Sequence, residues 1–133
     1  MAGTLNIQTN KKREVVDITD DVQRVVGKSK GDGACHLFVL HTTAALSIAD
    51  LDVGGTDQDY LDAFEKIVPR LNYRHPHDPS HMPDHILSTL IGTSLTVPVR
   101  DGSLVLGTWQ RVVLFEFDGP RERQIVVQLL ASK

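Results

Sequence analysis

The sequence predicts one α+β domain with a mixed or antiparallel β-sheet and two to three helices. Short apolar runs that alternate or cluster, typical of strands, occur near the N-terminus and fill the final third of the chain. Only three segments have the apolar spacing of an amphipathic helix or the start signals of one. A length of 133 residues suits a single domain over 1–133.

The first half of the chain predicts strands over 5–9 and 14–18, separated by a basic turn, and these two strands are expected to pair as a hairpin. A helix is predicted to begin at Thr19, where a capping hydroxyl precedes two acids, with Val22 and Val26 on one face. Further strands are predicted over 35–40 and 44–48. His41 therefore lies where a buried strand ends.

The second half predicts a helix from Thr56 that Pro69 stops, and a second helix from Pro83 to Gly92. The segment between them is polar and rich in proline, and a loop of this length is uncommon unless it has a function. Strands follow over 94–99, 103–107, 110–117 and 123–130. Asp-Gly pairs at 101 and 118 predict hairpin turns within this part of the chain.

Composition excludes several classes of protein. The net charge is −3 and no basic block is present, so nucleic acid is not an expected partner. The N-terminus lacks the features of a signal peptide, and no apolar run is long enough to span a membrane. We therefore expect a cytoplasmic protein that does not bind a membrane. The single Cys35 has apolar neighbours and is expected to be a core residue.

A cluster of histidines is the main chemical signal. Four of the six histidines fall between His75 and His85, together with two aspartates, and imidazole and carboxylate are common ligands of zinc, manganese and iron. The cluster predicts a metal site or an acid–base site. The alternative is a solvated connection, which the prolines at 76, 79 and 83 favour. His77 lies between two of these prolines and is the histidine least expected to act as a ligand.

Glu116 is the second signal, because strand alternation puts it on one face with apolar residues. A carboxylate in such a place is exposed at the strand end, paired with a cation, or used in chemistry. Arg121 and Arg123 follow just across the turn. They form either a structural ion pair with Glu116 or a two-pronged clamp for a phosphate.

Five motifs in order resemble those of the YjbQ family, over nearly the whole chain. They are His41-Thr-Thr-Ala-Ala-Leu-Ser-Ile, Tyr73-Arg-His, Pro83-Asp-His-Ile-Leu-Ser with Leu90-Ile-Gly-Thr-Ser-Leu, Leu106-Gly-Thr-Trp-Gln and Glu116-Phe-Asp-Gly-Pro-Arg. The resemblance implies a small α+β domain that assembles as a homotrimer. It also implies a histidine cluster that can hold a metal ion, and a weak or secondary thiamine-phosphate synthase activity, in which a pyrimidinylmethyl group is transferred and pyrophosphate is released.

The resemblance also assigns roles to residues. The expected metal ligands are His41, His75 and His85. His81 is expected to be either an additional ligand or a residue that contacts one of the ligands. The expected catalytic residues are Glu116, Arg121 and Asp50; Asp50 is the one acid kept where the family usually shows Asn-Glu-Asn. The candidates for binding substrate phosphate are Arg121, Arg123, Thr42 and Thr43. Three histidines favour zinc, whereas a diphosphate substrate favours magnesium.

Three functions follow as expectations. The first is a metal-binding enzyme that acts on a small phosphorylated substrate with thiamine-phosphate synthase-type chemistry. The second is a zinc-dependent hydrolase, since three histidines with an open position on zinc activate water. The third is a trimeric protein that binds a metal or another ligand without turnover.

Overall fold

A computed structural model describes residues 2–132 and confirms the α+β class, with strands and helices close to their predicted positions. The strands are β1 (Ala2–Gln8), β2 (Glu14–Asp17), β3 (Gly33–Val39), β4 (Ala44–Ala49), β5 (Ser94–Arg100), β6 (Ser103–Leu104), β7 (Arg111–Glu116) and β8 (Glu122–Ala131). The α-helices are α1 (Thr19–Val26), α2 (Thr56–Ile67) and α3 (Met82–Ile91), and a 3₁₀ turn, Pro79–His81, precedes α3. No helix within 2–132 is long and apolar enough to cross a membrane.

The strands form two antiparallel sheets rather than the single sheet expected. The larger sheet has the order β1-β8-β3-β5-β6, and the smaller has the order β2-β7-β4. A first apolar cluster joins the two sheets and α1, with fully buried members such as Leu37, Leu114 and Val22. Burial of this apolar surface is the main stabilising contribution to the fold.

Helices α2 and α3 cover the other face of the smaller sheet. A second cluster there contains Leu87, Val113 and Phe115, and the ring of Phe64 meets that of Phe115 edge to face at 5.1 Å. Strand β7 therefore has one face in each cluster, because Val112 and Leu114 belong to the first. This is the alternation that the sequence predicted for β7.

Two predicted hairpins are wrong. Strands β1 and β2 do not pair: β1 pairs with β8, with Gln8 opposite Glu122, and β2 pairs with β7, with Glu14 opposite Glu116. Likewise β7 and β8 lie in different sheets. Because β7 is apolar on both faces, it needs a layer on each side and lies in the middle of the molecule. Only the turn at Asp101 forms the expected hairpin, between β5 and β6.

Three segments cross from one sheet to the other at the same end of the molecule. They are residues 9–13, 40–43 and 117–121, and together we call them the corner. Backbone hydrogen bonds join them: Gly119 donates to Lys12, Thr9 donates to Arg121, and Phe117 donates to the Thr43 carbonyl at 3.1 Å. The corner thus brings together residues that are distant in the sequence.

Candidate functional site

An open cleft of about 460 Å³ lies against the corner and holds most of the residues that the sequence had indicated. Its lining comprises four corner residues from the second crossing, three histidines of the 75–85 segment, and three charged residues near the third crossing: Leu40, His41, Thr42, Thr43, His75, His81, His85, Asp118, Arg121 and Arg123. The cleft therefore combines donors and acceptors of hydrogen bonds from three parts of the fold.

His41 is held in one tautomer by the main chain of β8. The backbone N–H of Gln124 donates to His41 Nε2 at 2.9 Å, so that nitrogen must be the unprotonated one and the ring proton lies on Nδ1. Burial lowers the pKa of His41, and the nearby charge of Arg123 lowers it further; Glu116 opposes this less strongly, and Arg121 adds the smallest lowering effect. His41 is consequently a neutral hydrogen-bond donor at Nδ1.

His75 and His85 lie together, with their rings stacked at a centroid distance of 4.8 Å. His85 Nδ1 lies 3.0 Å from the Thr42 carbonyl oxygen, and His75 Nδ1 lies 3.2 Å from that of Asp78. A carbonyl oxygen accepts only, so Nδ1 donates in both rings. The second ring nitrogen of each histidine, Nε2, is then available for a contact with a ligand.

Arg121 and Asp118 belong to the third crossing. The Arg121 guanidinium donates to the Asp118 carbonyl at 2.8 Å and to its carboxylate at 3.0 Å, yet remains 55 % exposed. Lys12 approaches the same carboxylate at 3.1 Å. Burial raises the pKa of Asp118, but the hydrogen bond and charge of Lys12, with the charges of His81 and Arg121, outweigh it, so the pKa lies below its usual value.

Glu116 and Arg123 form a buried ion pair, as one of the two sequence interpretations predicted. Both side chains are almost fully excluded from solvent, and the guanidinium Nε donates to the carboxylate at 2.9 and 3.1 Å. Arg123 Nη2 donates to Glu116 and also to the hydroxyl of Thr43 at 2.9 Å. Thr9, itself buried, donates its hydroxyl to Glu116 at 2.7 Å. Arg123 thus has its Nε and Nη2 engaged inside the protein, although the residue also lines the cleft.

The first crossing contributes cations that the sequence reading missed. Arg13 approaches Asp84 of α3 at 2.8 Å and Glu65 of α2 at 3.2 Å, so it ties the corner to both helices. Asp84 is buried, which raises the pKa of its carboxyl despite the opposing charges of Arg13 and Lys12. These residues looked like an exposed basic turn because the expected hairpin placed nothing beside them.

The predicted site residues divide into two groups. His41, Thr42, Thr43, His75, His81, His85, Arg121 and Arg123 all line the cleft. Glu116 lies behind it, and Asp50 is elsewhere. Asp50 follows the far end of β4, about 20 Å along the strand at roughly 3.3 Å per residue, and lines a different hollow beside Trp109 and Arg111.

Comparisons with known proteins agree with this arrangement of the chain. A family model described as UPF0047 protein YjbQ-like matches residues 3–132. The chain belongs to the YjbQ family. A UPF0047 protein of Archaeoglobus fulgidus is 42 % identical over 127 residues, covering 95 % of this chain and 98 % of the relative. The YugU protein of Bacillus subtilis is 35 % identical and covers 98 % of this chain and 99 % of its own.

Solved structures of the family have the same fold. A YbjQ-like protein of unknown function from Sulfolobus solfataricus superimposes with a TM-score of 0.91 at 36 % identity, covering 99 % of this chain and 97 % of that one. A hypothetical protein from Aeropyrum pernix gives a TM-score of 0.90 at 30 % identity, covering 99 % of each chain. The family membership and the fold expected from the resemblance are therefore confirmed.

The function expected from the resemblance is wrong. Among residues 2–132 no group of three or more histidine, cysteine, aspartate or glutamate side chains is arranged to hold a metal ion. His41 explains this in part, since its Nε2 lone pair already accepts the Gln124 N–H and its Nδ1 carries the proton. The relatives are described as UPF0047 proteins, and one structural neighbour as a protein of unknown function, with no thiamine-phosphate synthase among these descriptions. The three metal-based expectations, namely the metal-dependent synthase, the zinc hydrolase and the trimeric metal-binding protein without turnover, are therefore wrong.

Proposed function

We propose that the cleft binds a small oxyanion, with a phosphate monoester as the preferred class, and that it does so through protein donors alone. The observation that carries this proposal is the half-exposed guanidinium of Arg121. Two of its nitrogens are fixed on Asp118, and Nη1 has no partner among the described residues. A planar guanidinium held in this way is well suited to an oxygen ligand with negative charge.

The other donors of the cleft support the same ligand class. His41 Nδ1–H and the exposed hydroxyl of Thr42 both line the cleft beside Arg121. A neutral donor adds a hydrogen bond to an anion without needing a counter-charge. The Nε2 atoms of His75 and His85 accept hydrogen bonds when Nδ1 is the donor, which suits a hydroxyl or a protonated phosphate oxygen on the same ligand.

Local charge also favours an anion. The charge of Arg123 is neutralised by Glu116 within the protein. The carboxylate of Asp118 lies between two cations, Lys12 and Arg121. Since Lys12 also pairs with Asp118, besides lying 3.9 Å from Asp84, the positive charge of Arg121 is only partly cancelled at the cleft, although the whole chain carries −3. A focused positive site on an acidic protein attracts a small anion more than an extended polyanion.

The test is a calorimetric titration of EDTA-treated protein with phenyl phosphate. Binding is expected without added metal, and Arg121→Met is expected to weaken it about tenfold or more, because one charge-assisted hydrogen bond contributes about 1.5–3 kcal/mol. Arg111→Met is the matched control, since Arg111 forms a surface pair with Asp17 at the other end of β7. Equal affinity in wild type and Arg121→Met would remove Arg121 from the site, and heat of binding only after zinc is added would contradict the proposal.

Self-association into a homotrimer stays a prediction. Several large apolar side chains are exposed, among them Trp109 at 69 % and Leu90 at 66 %, and such residues are common in subunit contacts. Light scattering at micromolar concentration checks it, and a monomer there would rule it out. A cytoplasmic location is also still a prediction, which cell fractionation would check.

A further inference from the structure

We propose that the buried pair of Glu116 and Arg123 positions His41, and that this fixed His41 makes the cleft select ligand atoms that accept hydrogen bonds. The inference rests on the proposed oxyanion site for its ligand, but its structural part stands on contacts inside the corner. Arg123 is a positioning residue here, because its Nε and Nη2 contact Glu116 and Thr43 and so act on the ligand through His41 and its neighbours.

Arg123 holds the second crossing through two hydrogen bonds to Thr43. Its Nη2 donates to the Thr43 hydroxyl at 2.9 Å and to the Thr43 carbonyl at 3.1 Å. The remaining donor contacts go to Glu116, which keeps the guanidinium plane in place. Thr43 lies two residues after His41, so the backbone that carries the imidazole is anchored by a charged group with almost no access to solvent.

The strand that carries Arg123 also fixes the imidazole itself. Gln124, the next residue of β8, donates its N–H to His41 Nε2 and accepts the N–H of Leu40 at 3.0 Å. Arg123 and Gln124 thus hold the same segment from successive positions of one strand. A histidine ring in water exchanges between two tautomers, whereas this arrangement allows only the one with Nδ1–H.

The third crossing depends on the same buried pair. Glu116 accepts the N–H of Asp118 at 3.1 Å and the hydroxyl of Thr9, and that hydroxyl group also accepts the N–H of Arg121 at 2.9 Å. One ion pair therefore supports both of the segments that bring donors to the cleft. It does so from a place where solvent does not weaken the interaction.

A consequence for specificity follows from the tautomer. With Nε2 occupied, His41 offers a proton at Nδ1 and no lone pair. A ligand atom beside it must accept a hydrogen bond, so a phosphate or carboxylate oxygen fits. An ammonium group or a metal ion at that position meets the N–H of His41 and is rejected there. Specificity of this kind comes from a mismatch with the wrong ligand as much as from attraction to the right one.

The experiment reads the ring nitrogens of His41 by ¹⁵N NMR and, separately, the affinity for phenyl phosphate. In the wild type we expect a protonated Nδ1 and a bare Nε2 near neutral pH. The main variant is the double replacement Glu116→Leu with Arg123→Met, which removes both charges together and so leaves no unpaired ion in the interior. We expect the double variant to fold and to show both His41 tautomers. We expect it to bind phenyl phosphate at least about fivefold more weakly, because the Nδ1–H of His41 is no longer fixed before the ligand binds.

The outcomes separate the two proposals. A wild-type His41 with its proton on Nε2, or a double variant that keeps the wild-type tautomer, overturns the positioning role. Mixed tautomers in the double variant support that role even if no protein form binds phosphate, in which case the oxyanion site alone is rejected. If the double variant does not fold, Arg123→Lys decides: a lysine keeps the charge but lacks the fork that joins Glu116 to Thr43, so mixed tautomers are expected and an unchanged tautomer overturns the role.

Discussion

The corner and the loop over 69–81 both line the cleft, but different contacts hold them. In the corner, side-chain hydrogen bonds join residues far apart in the sequence, such as Thr9 with Glu116 and Arg123 with Thr43. In the loop, the side-chain bonds of Tyr73, His75 and Ser80 all end within residues 69–80. The chain thus presents two histidine environments: His41 is hydrogen-bonded to β8, whereas His75 is hydrogen-bonded within its own loop and meets α3 through its stacked ring.

This difference has a physical consequence for the site. Local contacts open without disturbing the core, whereas the corner opens only when buried polar groups lose their partners. We infer that the corner presents preformed donors, His41 and Arg121, and that His75 lies on the part of the cleft that adjusts to a ligand. The predictions below separate the two regions by how strongly each resists substitution.

The largest effect is expected for Arg123→Met alone. It leaves the buried Glu116 without its cation, and breaking a buried pair in this way costs about 3–5 kcal/mol of unfolding free energy. The double variant with Glu116→Leu should recover most of that loss, because no buried charge remains. Urea unfolding measures both. If the double variant is as unstable as the single one, the pair is not acting as a charge pair.

The next effect concerns Gly119. A Cβ added there would lie 2.3 Å from the Lys11 carbonyl oxygen and 2.8 Å from Thr9 Oγ1, so Gly119→Ala should push the first and third crossings apart. We expect a loss of about 1–3 kcal/mol. Gly31→Ala is the matched control, since an added Cβ meets nothing within 4 Å there, and a change within about 0.5 kcal/mol is expected. Similar losses for both would show that the corner is not closely packed.

A smaller effect on stability is expected at low pH. Because the pKa of Asp118 lies below its usual value, its carboxylate stabilises the fold above the unfolded pKa of about 4, and this contribution is lost as pH falls through the lower, folded pKa. Asp118→Asn should therefore cost about 1 kcal/mol at pH 7 and make the acid loss of stability shallower. Asp50→Asn, exposed and outside the cleft, serves as control. An equally steep acid loss in Asp118→Asn would exclude Asp118 as a contributor.

The smallest effect is expected in the loop. His77 is exposed and has a φ of 71°, a backbone conformation that is strained for a residue with a side chain. Glycine would remove this strain from the folded state, but it would also raise the conformational entropy of the unfolded chain. These terms oppose each other, so His77→Gly should change the unfolding free energy by less than about 0.5 kcal/mol. A loss of the size seen at Gly119 would mean that the loop is as firmly held as the corner.

The fold class and most strand positions could be predicted from the sequence, because the alternation at β7 and the breaks at Pro69 and Gly92 are local signals. For the candidate site, the sequence identified residues that the fold brings together. His41, His85 and Arg121 do meet at one cleft. Local patterns do not show where the chain crosses from one sheet to the other. Two of these crossings replace the expected hairpins and form part of the corner.

The same limit explains why the metal site predicted from the histidines is wrong. A list of histidines in a sequence says nothing about which ring nitrogens are already engaged. The contact that disqualifies His41 comes from a backbone N–H 83 positions away, at Gln124, and carries no side-chain signal. Arg123 stays a predicted phosphate ligand, since it lines the cleft, but the sequence does not reveal that Glu116 and Thr43 already use its Nε and Nη2 inside the protein.

The most direct measurement is an NMR titration of the ¹⁵N-labelled, EDTA-treated protein with phenyl phosphate, followed at each backbone amide. Oxyanion binding predicts saturable shifts at residues 41–43, 118–121 and 75–85, with residues of α1 and Asp50 unmoved. No saturable shift up to millimolar ligand, shifts that centre elsewhere, or shifts that need added zinc would contradict an oxyanion site built from the corner.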